Sequence, residues 1–139
     1  MTATTSPQLG RIHALLAERG YEVAESAADT LSVREVESGV TLRAVLQGEI
    51  LFLSLVCTVV PRESITPHLM GRMLDAANGI STSYFQLYDA GGGKAAVTLN
   101  NFCKLQDLGT DDEDDILSCV HFLLVDVMAA RSVLSGLKG

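Results

Sequence analysis

Between residues 40 and 60 apolar and polar positions alternate strongly. Val40, Leu42, Ala44 and Leu46 point one way, and Thr41, Arg43 and Gln47 the other, which is the two-residue period of a half-buried strand. Gly48-Glu49 makes a turn. The next strand, residues 50–60, has one wholly apolar face of Leu51, Leu53, Leu55, Cys57 and Val59, which belongs in the core. Its other face, Ile50, Phe52, Ser54, Val56, Thr58 and Val60, is mixed and too apolar for a simple solvent face. Upstream, Leu9, Ile12 and Leu16, flanked by Leu15, repeat at helical spacing and predict a helix over residues 7–19. Ser6 is its expected N-cap before Pro7, and Gly20 ends it. Strands are expected at 21–25 and 31–36, and Ser38-Gly39 makes a tight turn.

The second half of the chain is punctuated more sharply. Thr66 is an N-cap residue, Pro67 takes the first helical position, and Ile65 with Met70 can form a hydrophobic staple. Asn78-Gly79 is the expected stop, giving a helix over 66–78 with Leu69, Met70, Met73 and Ala77 on one side. Residues 80–88 follow as a strand, with Phe85 and Leu87 inward and Thr82, Tyr84, Gln86 and Tyr88 outward. Asp89-Ala90-Gly91-Gly92-Gly93-Lys94 turns it into a partner strand over 95–101 with Val97 and Leu99 inward. Thr110-x-x-Glu113 reads as a capping box opening a last helix over 111–134. The order α-β-β-β(β)-α-β-β-α predicts an α+β fold: an antiparallel twisted sheet with helices packed on one face. Residues 1–6 are expected to be a disordered tail, and 7–139 one domain.

With this order, the chain resembles the YbjN-like family, which shares its fold with the CesT-like type III secretion chaperones. The residues that carry the resemblance are Arg19-Gly20-Tyr21 at the end of the first helix and Leu74-Asp75-Ala76-Ala77-Asn78 at the end of the second. With them go Tyr84-Phe85-Gln86-Leu87-Tyr88 before Gly91-Gly92-Gly93, and the apolar last helix from Ile116. The resemblance implies a small, acidic, bacterial cytoplasmic protein, homodimeric and without catalytic residues. Chaperone members hold a partly unfolded client across the sheet face, whereas the YbjN-like branch is described as regulatory.

Composition narrows the functional classes. At 139 residues and 47% apolar, the chain can bury roughly 70% of the surface that its unfolded form exposes. The net charge of −7 is mostly local, because five acids stand together at 111–115; the remaining 12 acidic residues face 10 basic ones. That leaves no basic stripe for nucleic acid. Three scattered cysteines, Cys57, Cys103 and Cys119, argue for reduced thiols in a cytoplasmic protein rather than a disulfide framework or a zinc site. The first residues have no basic start and no apolar core, so no secretory signal is read there. The apolar run at 50–60 is too short to cross a bilayer as a helix.

The chemistry-bearing residues read as structural. The acids at 111–115 are consecutive, without the alternation and glycine bend of a calcium loop, and read as a solvated helix start favoured by the dipole. His13, His68 and His121 share no ligand spacing; His13 and His121 are expected at the rim of the core. The glycine run leads into a strand rather than a helix N-terminus, so it is not a phosphate loop. No catalytic site, metal or cofactor is therefore expected.

Two apolar faces remain. Phe52, Val56, Tyr84 and Tyr88 should share the outward sheet face, a platform for a partner segment held in extended form. In the last helix, Ile116, Leu117, Val120, Leu123, Leu124, Val127 and Met128 form one broad face, with Phe122, Val125, Ala129 and Val133 nearly opposite. A helix apolar on both sides is buried on both. The second cover is either another copy of the chain, making Phe122, Val125, Ala129 and Val133 a dimer interface, or the N-terminal helix. The expected function is a non-enzymatic, homodimeric, chaperone-like or adaptor-like binding protein. The alternative is a small-molecule sensor or an enzyme with a pocket between sheet and helices.

Overall fold

The structure, a computed structural model, describes residues 7–137; the tail at 1–6 and the Ser6 cap lie outside the described residues. The elements are α1 (Pro7–Glu18), β1 (Glu22–Ala27), β2 (Thr30–Arg34), β3 (Thr41–Gln47) and β4 (Ile50–Pro61). After a 3-10 turn at Arg62–Ser64 come α2 (Pro67–Leu74), β5 (Tyr84–Gly91), β6 (Lys94–Lys104) and α3 (Thr110–Val133). The strands form one six-stranded sheet in the order β1-β2-β3-β4-β6-β5, so β1 and β5 are its edges. The pairs β1–β2, β2–β3, β3–β4 and β5–β6 are antiparallel. This is the α+β architecture expected from the pattern.

Two units can be distinguished: the chain up to Ser54 with Phe102–Val120, and Leu55–Asn101 with the chain from His121. In the first, α1 buries Leu9, Ile12, Leu15 and Leu16. Leu31 and Val33 of β2, Leu42, Ala44 and Leu46 of β3, and Leu51 and Leu53 of β4 are buried as the alternation requires. The register places Ala44 opposite Leu53 and Leu46 opposite Leu51. In the second unit, Leu69 and Met73 of α2 pack with Val97, Val133 and Leu134, and Cys57, Ile65, Phe85 and Leu137 lie against them, half-buried.

Local chemistry explains much of this. The Leu69 N–H donates to Thr66 Oγ1 at 3.1 Å, the expected cap of α2. Gly92 and Gly93, with φ of 61° and 77°, supply the left-handed turn of the β5–β6 hairpin.

Several expectations need correction. Helix α2 stops at Leu74 rather than Asn78. Side chains take over from the helical ladder there: Asp75 Oδ1 accepts the Ala77 N–H, Asn78 Nδ2 donates to Met73 O, and Asn78 Oδ1 accepts the Ile80 N–H. In β4 the burial phase slips by one residue across Cys57 and Thr58. Val59 is therefore exposed and Val60 fully buried. Leu87 was expected inward, yet it is 42% exposed, because α2 ends too early to cover it.

Helix α3 departs most. Thr110 is the first residue of α3 rather than its cap. The loop before α3 is instead gathered by Asp112, whose Oδ2 accepts N–H groups from Gln106, Asp107 and Leu108 at 2.7, 3.0 and 2.7 Å. Asp112 is thus buried, not part of a solvated acidic run. Helix α3 is long and apolar enough to cross a membrane by length and composition. Its Ile116, Val120, Leu123, Val127 and Ala130 are core residues.

Candidate functional site

The residues expected to bind a partner fall in both units. In the unit that contains it, Phe52 is half-buried and pairs with Phe102, their ring centroids 6.2 Å apart. The ring of Phe102, which the sequence pattern did not single out, is 54% exposed. The other three residues, Val56, Tyr84 and Tyr88, belong to the unit with β5 and are all exposed. Tyr84 and Tyr88 lie on one face of β5, opposite Asn100 and Ala96. Between them Gln86 accepts the Tyr88 hydroxyl at 2.6 Å. Behind this aromatic pair Thr98 Oγ1 donates to Gln86 O, and Asn100 Nδ2 donates to Thr98 Oγ1 at 2.8 Å, so the polar groups beneath it are engaged.

The other face of β5 carries an apolar groove that sequence reasoning missed. Met70, Met73, Leu74, Phe85, Gln86 and Leu87 line about 130 Å³. Leu74, at the end of α2, is 81% exposed. The missing signal was the length of α2: a helix continued to Asn78 would have turned these positions toward the sheet. Thioethers and branched aliphatics make this a surface that adapts to varied side chains.

The residues expected at a dimer interface do not form one surface. Val133 is a core residue packed with Leu69, Met73, Val97 and Leu134, since it follows Ala130 by three positions on the buried side of α3. Ala129 is half-buried, and a Cβ on Gly79 would come within 3.2 Å of its own. Phe122 and Val125 are exposed, and so is Met128, which was expected inward.

The remaining polar groups are occupied by structure. Asp126 is buried in α3, and its carboxylate accepts the Ser81 N–H and hydroxyl, both at 2.9 Å, and the Thr82 and Ser83 N–H groups at 3.4 and 3.2 Å. Burial opposes its charge, but the hydrogen bonds from Ser81 and Ser83 prevail and hold the carboxyl below its ordinary value. A depression of about 280 Å³ beside Arg72, Asp75, Ala77, Asn78, Ser132 and Val133 is polar-lined. However, Arg72 already donates to Ser132 O, and Asp75 and Asn78 hold the end of α2.

His13 is half-buried, whereas His121, expected at the core rim, is exposed with its ring 5.8 Å from that of Phe122. Among the described residues no group of three or more histidine, cysteine or acidic side chains could hold a metal ion. Cys57, Cys103 and Cys119 form no disulfide. Burial pushes the Cys57 thiol up to about 11, against the opposing pull of a Leu99 backbone hydrogen bond and the Arg131 charge.

No family model matches the sequence, and no curated protein does. Solved structures do match. The crystal structure of YbjN from E. coli, a candidate transcription regulator, superposes with a TM-score of 0.65 at 13% identity, covering 91% of this chain and 92% of that one. The ExoU–SpcU heterodimeric complex of the Pseudomonas aeruginosa type III secretion system matches with a TM-score of 0.56 at 18% identity, covering 88% and 94%. The neighbour in that complex is the chaperone SpcU. The chain has the YbjN-like fold shared with type III secretion chaperones.

Proposed function

We propose that this chain is a non-enzymatic, cytoplasmic, chaperone-like or adaptor-like protein that holds an apolar segment of a client. The carrying observation is the groove of Met70, Met73, Leu74, Phe85 and Leu87 beside the edge strand β5. A free strand edge offers main-chain hydrogen bonds, and an apolar groove alongside offers pockets, the combination that an extended peptide uses. The likeness to SpcU, a chaperone in a complex with a protein partner, supports a protein client. The outward pair Tyr84 and Tyr88, with Val56, is the second candidate contact on the same unit; Phe52 with Phe102 is a separate candidate on the other. The chain is proposed to be a homodimer, with Phe122 and Val125 as the exposed part of the contact.

The small-molecule alternative is less well supported. The polar depression beside Arg72 and Asn78 spends its polar groups on the protein's own backbone.

Site-specific photo-crosslinking in the native cytoplasm tests the reading. A crosslinker at Leu74 should give a defined adduct with a different protein, and one at Phe122 an adduct with a second copy. A crosslinker at Val36, which is exposed in the other unit, should give neither. Equal, diffuse labelling from all three positions would overturn the proposal. A monomer by light scattering at about 50 μM, well above typical dimer constants, would remove the homodimer.

A further inference from the structure

The sheet face that carries Phe52 and Phe102 differs in charge from the rest of its unit. That unit, the chain up to Ser54 with Phe102–Val120, holds 13 acidic side chains and 5 basic ones. Three of the five bases, Arg34, Arg43 and Lys104, share the face of the two rings. Arg43 stands opposite Ser54 and Val45 opposite Phe52, so Arg43 is a diagonal neighbour of Phe52. Lys104 follows Phe102 by two positions in β6, past the buried Cys103, and so lies on the same side. Ser32, opposite Arg43, and Thr30, opposite Val45, extend the surface on β2. Glu22, the acid that the register brings to this face, is opposite Arg34 and forms an ion pair with it. Arg43 and Lys104 are exposed and form no ion pair among the described residues, and Glu49 in the turn between β3 and β4 reaches neither.

We propose that this face docks an acidic protein segment, which lays an apolar or aromatic side chain on the Phe52–Phe102 pair and brings carboxylates to Arg43 and Lys104. This docking rests on the reading of the chain as a protein binder and gives the chemistry of the partner at one of its candidate contacts. The Phe102 ring, 54% exposed and tilted against Phe52, offers rigid apolar area at small entropic cost. The two free cations beside the rings select the sign of charge and orient the segment more than they add raw affinity. A basic segment is drawn to the acidic remainder of the unit and away from the rings, whereas carboxylates find their complement here. Nucleic acid fits less well, because its affinity grows with the number of phosphates neutralised, and two free cations neutralise few.

Fluorescence anisotropy of short labelled probes on the full chain tests it. One peptide carries phenylalanines spaced among glutamates, a second has lysine in place of every glutamate, and a single-stranded oligonucleotide of mixed sequence is the third probe. The acidic peptide should bind at least about tenfold more tightly than either of the others. Its affinity should fall several-fold as salt rises from about 50 to about 500 mM, because exposed charges are screened. Phe102→Ser should weaken it by about tenfold or more, as loss of a hot spot does. Arg43→Glu combined with Lys104→Glu should reverse the preference between the two peptides, which loss of fold cannot do. Leu74→Ser, in the other unit, should leave binding of the acidic peptide unchanged. Equal binding of the two peptides, preference for the lysine peptide or the oligonucleotide, no binding of the acidic peptide, or binding that Leu74→Ser weakens would each overturn the inference. The comparison of probes on the wild-type chain decides even where a variant folds poorly. A defined adduct from the Leu74 crosslinker would stand with this docking lost, so the two failures are separable.

Discussion

Ser81 donates both its backbone N–H and its hydroxyl to one oxygen of Asp126, each at 2.9 Å, across 45 positions of sequence. With the Thr82 and Ser83 N–H groups on the second oxygen, the carboxylate fixes the segment that leads into β5. A buried anion is tolerable only when its lone pairs are filled, and here they are.

Replacing Asp126 by Asn keeps the shape but puts an amide N–H₂ where backbone donors converge. The expected loss is about 1–3 kcal/mol in a urea melt, the cost of leaving buried donors without an acceptor. Wild-type melts across pH carry the matching signature. The folded pKa of Asp126 lies below its ordinary value of 3.8. The stability that it contributes is therefore fully present above that value and is lost as pH falls through the folded pKa. Asp126→Asn should flatten the acid limb of the stability profile. An unchanged limb would show that other carboxylates carry it.

Asp112 holds a second buried set of backbone donors, in the other unit. One of them belongs to Leu108, a bulky residue with φ of 56°. Such a residue adopts left-handed backbone at a cost, and Arg11 also braces it by donating to Leu108 O at 2.8 Å. Asp112→Ala should destabilise by about 1–3 kcal/mol, as three N–H groups lose their acceptor. Asp111→Ala, at an exposed neighbour, should stay within about 0.5 kcal/mol. Equal effects at both positions would mean that helix-dipole charge, not the three bonds, stabilises this helix start.

What the sequence made legible was local. The Thr66 cap, the glycine hairpin and the alternation of β3 and early β4 depend on neighbours a few positions apart, and each recurs in the structure. What it hid was set at a distance or by competition. Asp126 was visible only as a charge interrupting an apolar helix face, and nothing in its spacing pointed to Ser81. Asp112 looked like one acid among five. The early end of α2 came from Asp75 and Asn78 diverting the backbone, and this uncovered Leu87 and Leu74.

Adjacent positions of β4 offer a direct comparison of its two faces. Leu53 is 1% exposed, so Leu53→Ala should cost about 2–5 kcal/mol through the cavity that it opens. Phe52→Ala loses a half-buried ring and its contact with Phe102, an aromatic pair worth about 0.5–1.5 kcal/mol beyond area. Denaturant melts should therefore rank Leu53→Ala as the more damaging. If Phe52→Ala is as damaging as Leu53→Ala and association is unchanged among the folded molecules, Phe52 is a structural residue and not a contact.

Leu74 separates binding from folding most cleanly. At 81% exposed it contributes little to the core, so Leu74→Ser should change stability by no more than about 0.5 kcal/mol. Its neighbour one turn earlier, Met70, is more than a third exposed on the same groove, whereas Met73 is buried. If the groove holds a client, Leu74→Ser should weaken association by about 1–3 kcal/mol, as a modest hot spot does. Met73→Ala should instead lower the melting temperature, because it opens the core. The assay is titration of a fluorescent client peptide, once crosslinking has identified it, with melts run in parallel. Binding that survives Leu74→Ser unchanged would remove this groove as the contact surface and leave the Tyr84–Tyr88 face as the remaining candidate on that unit.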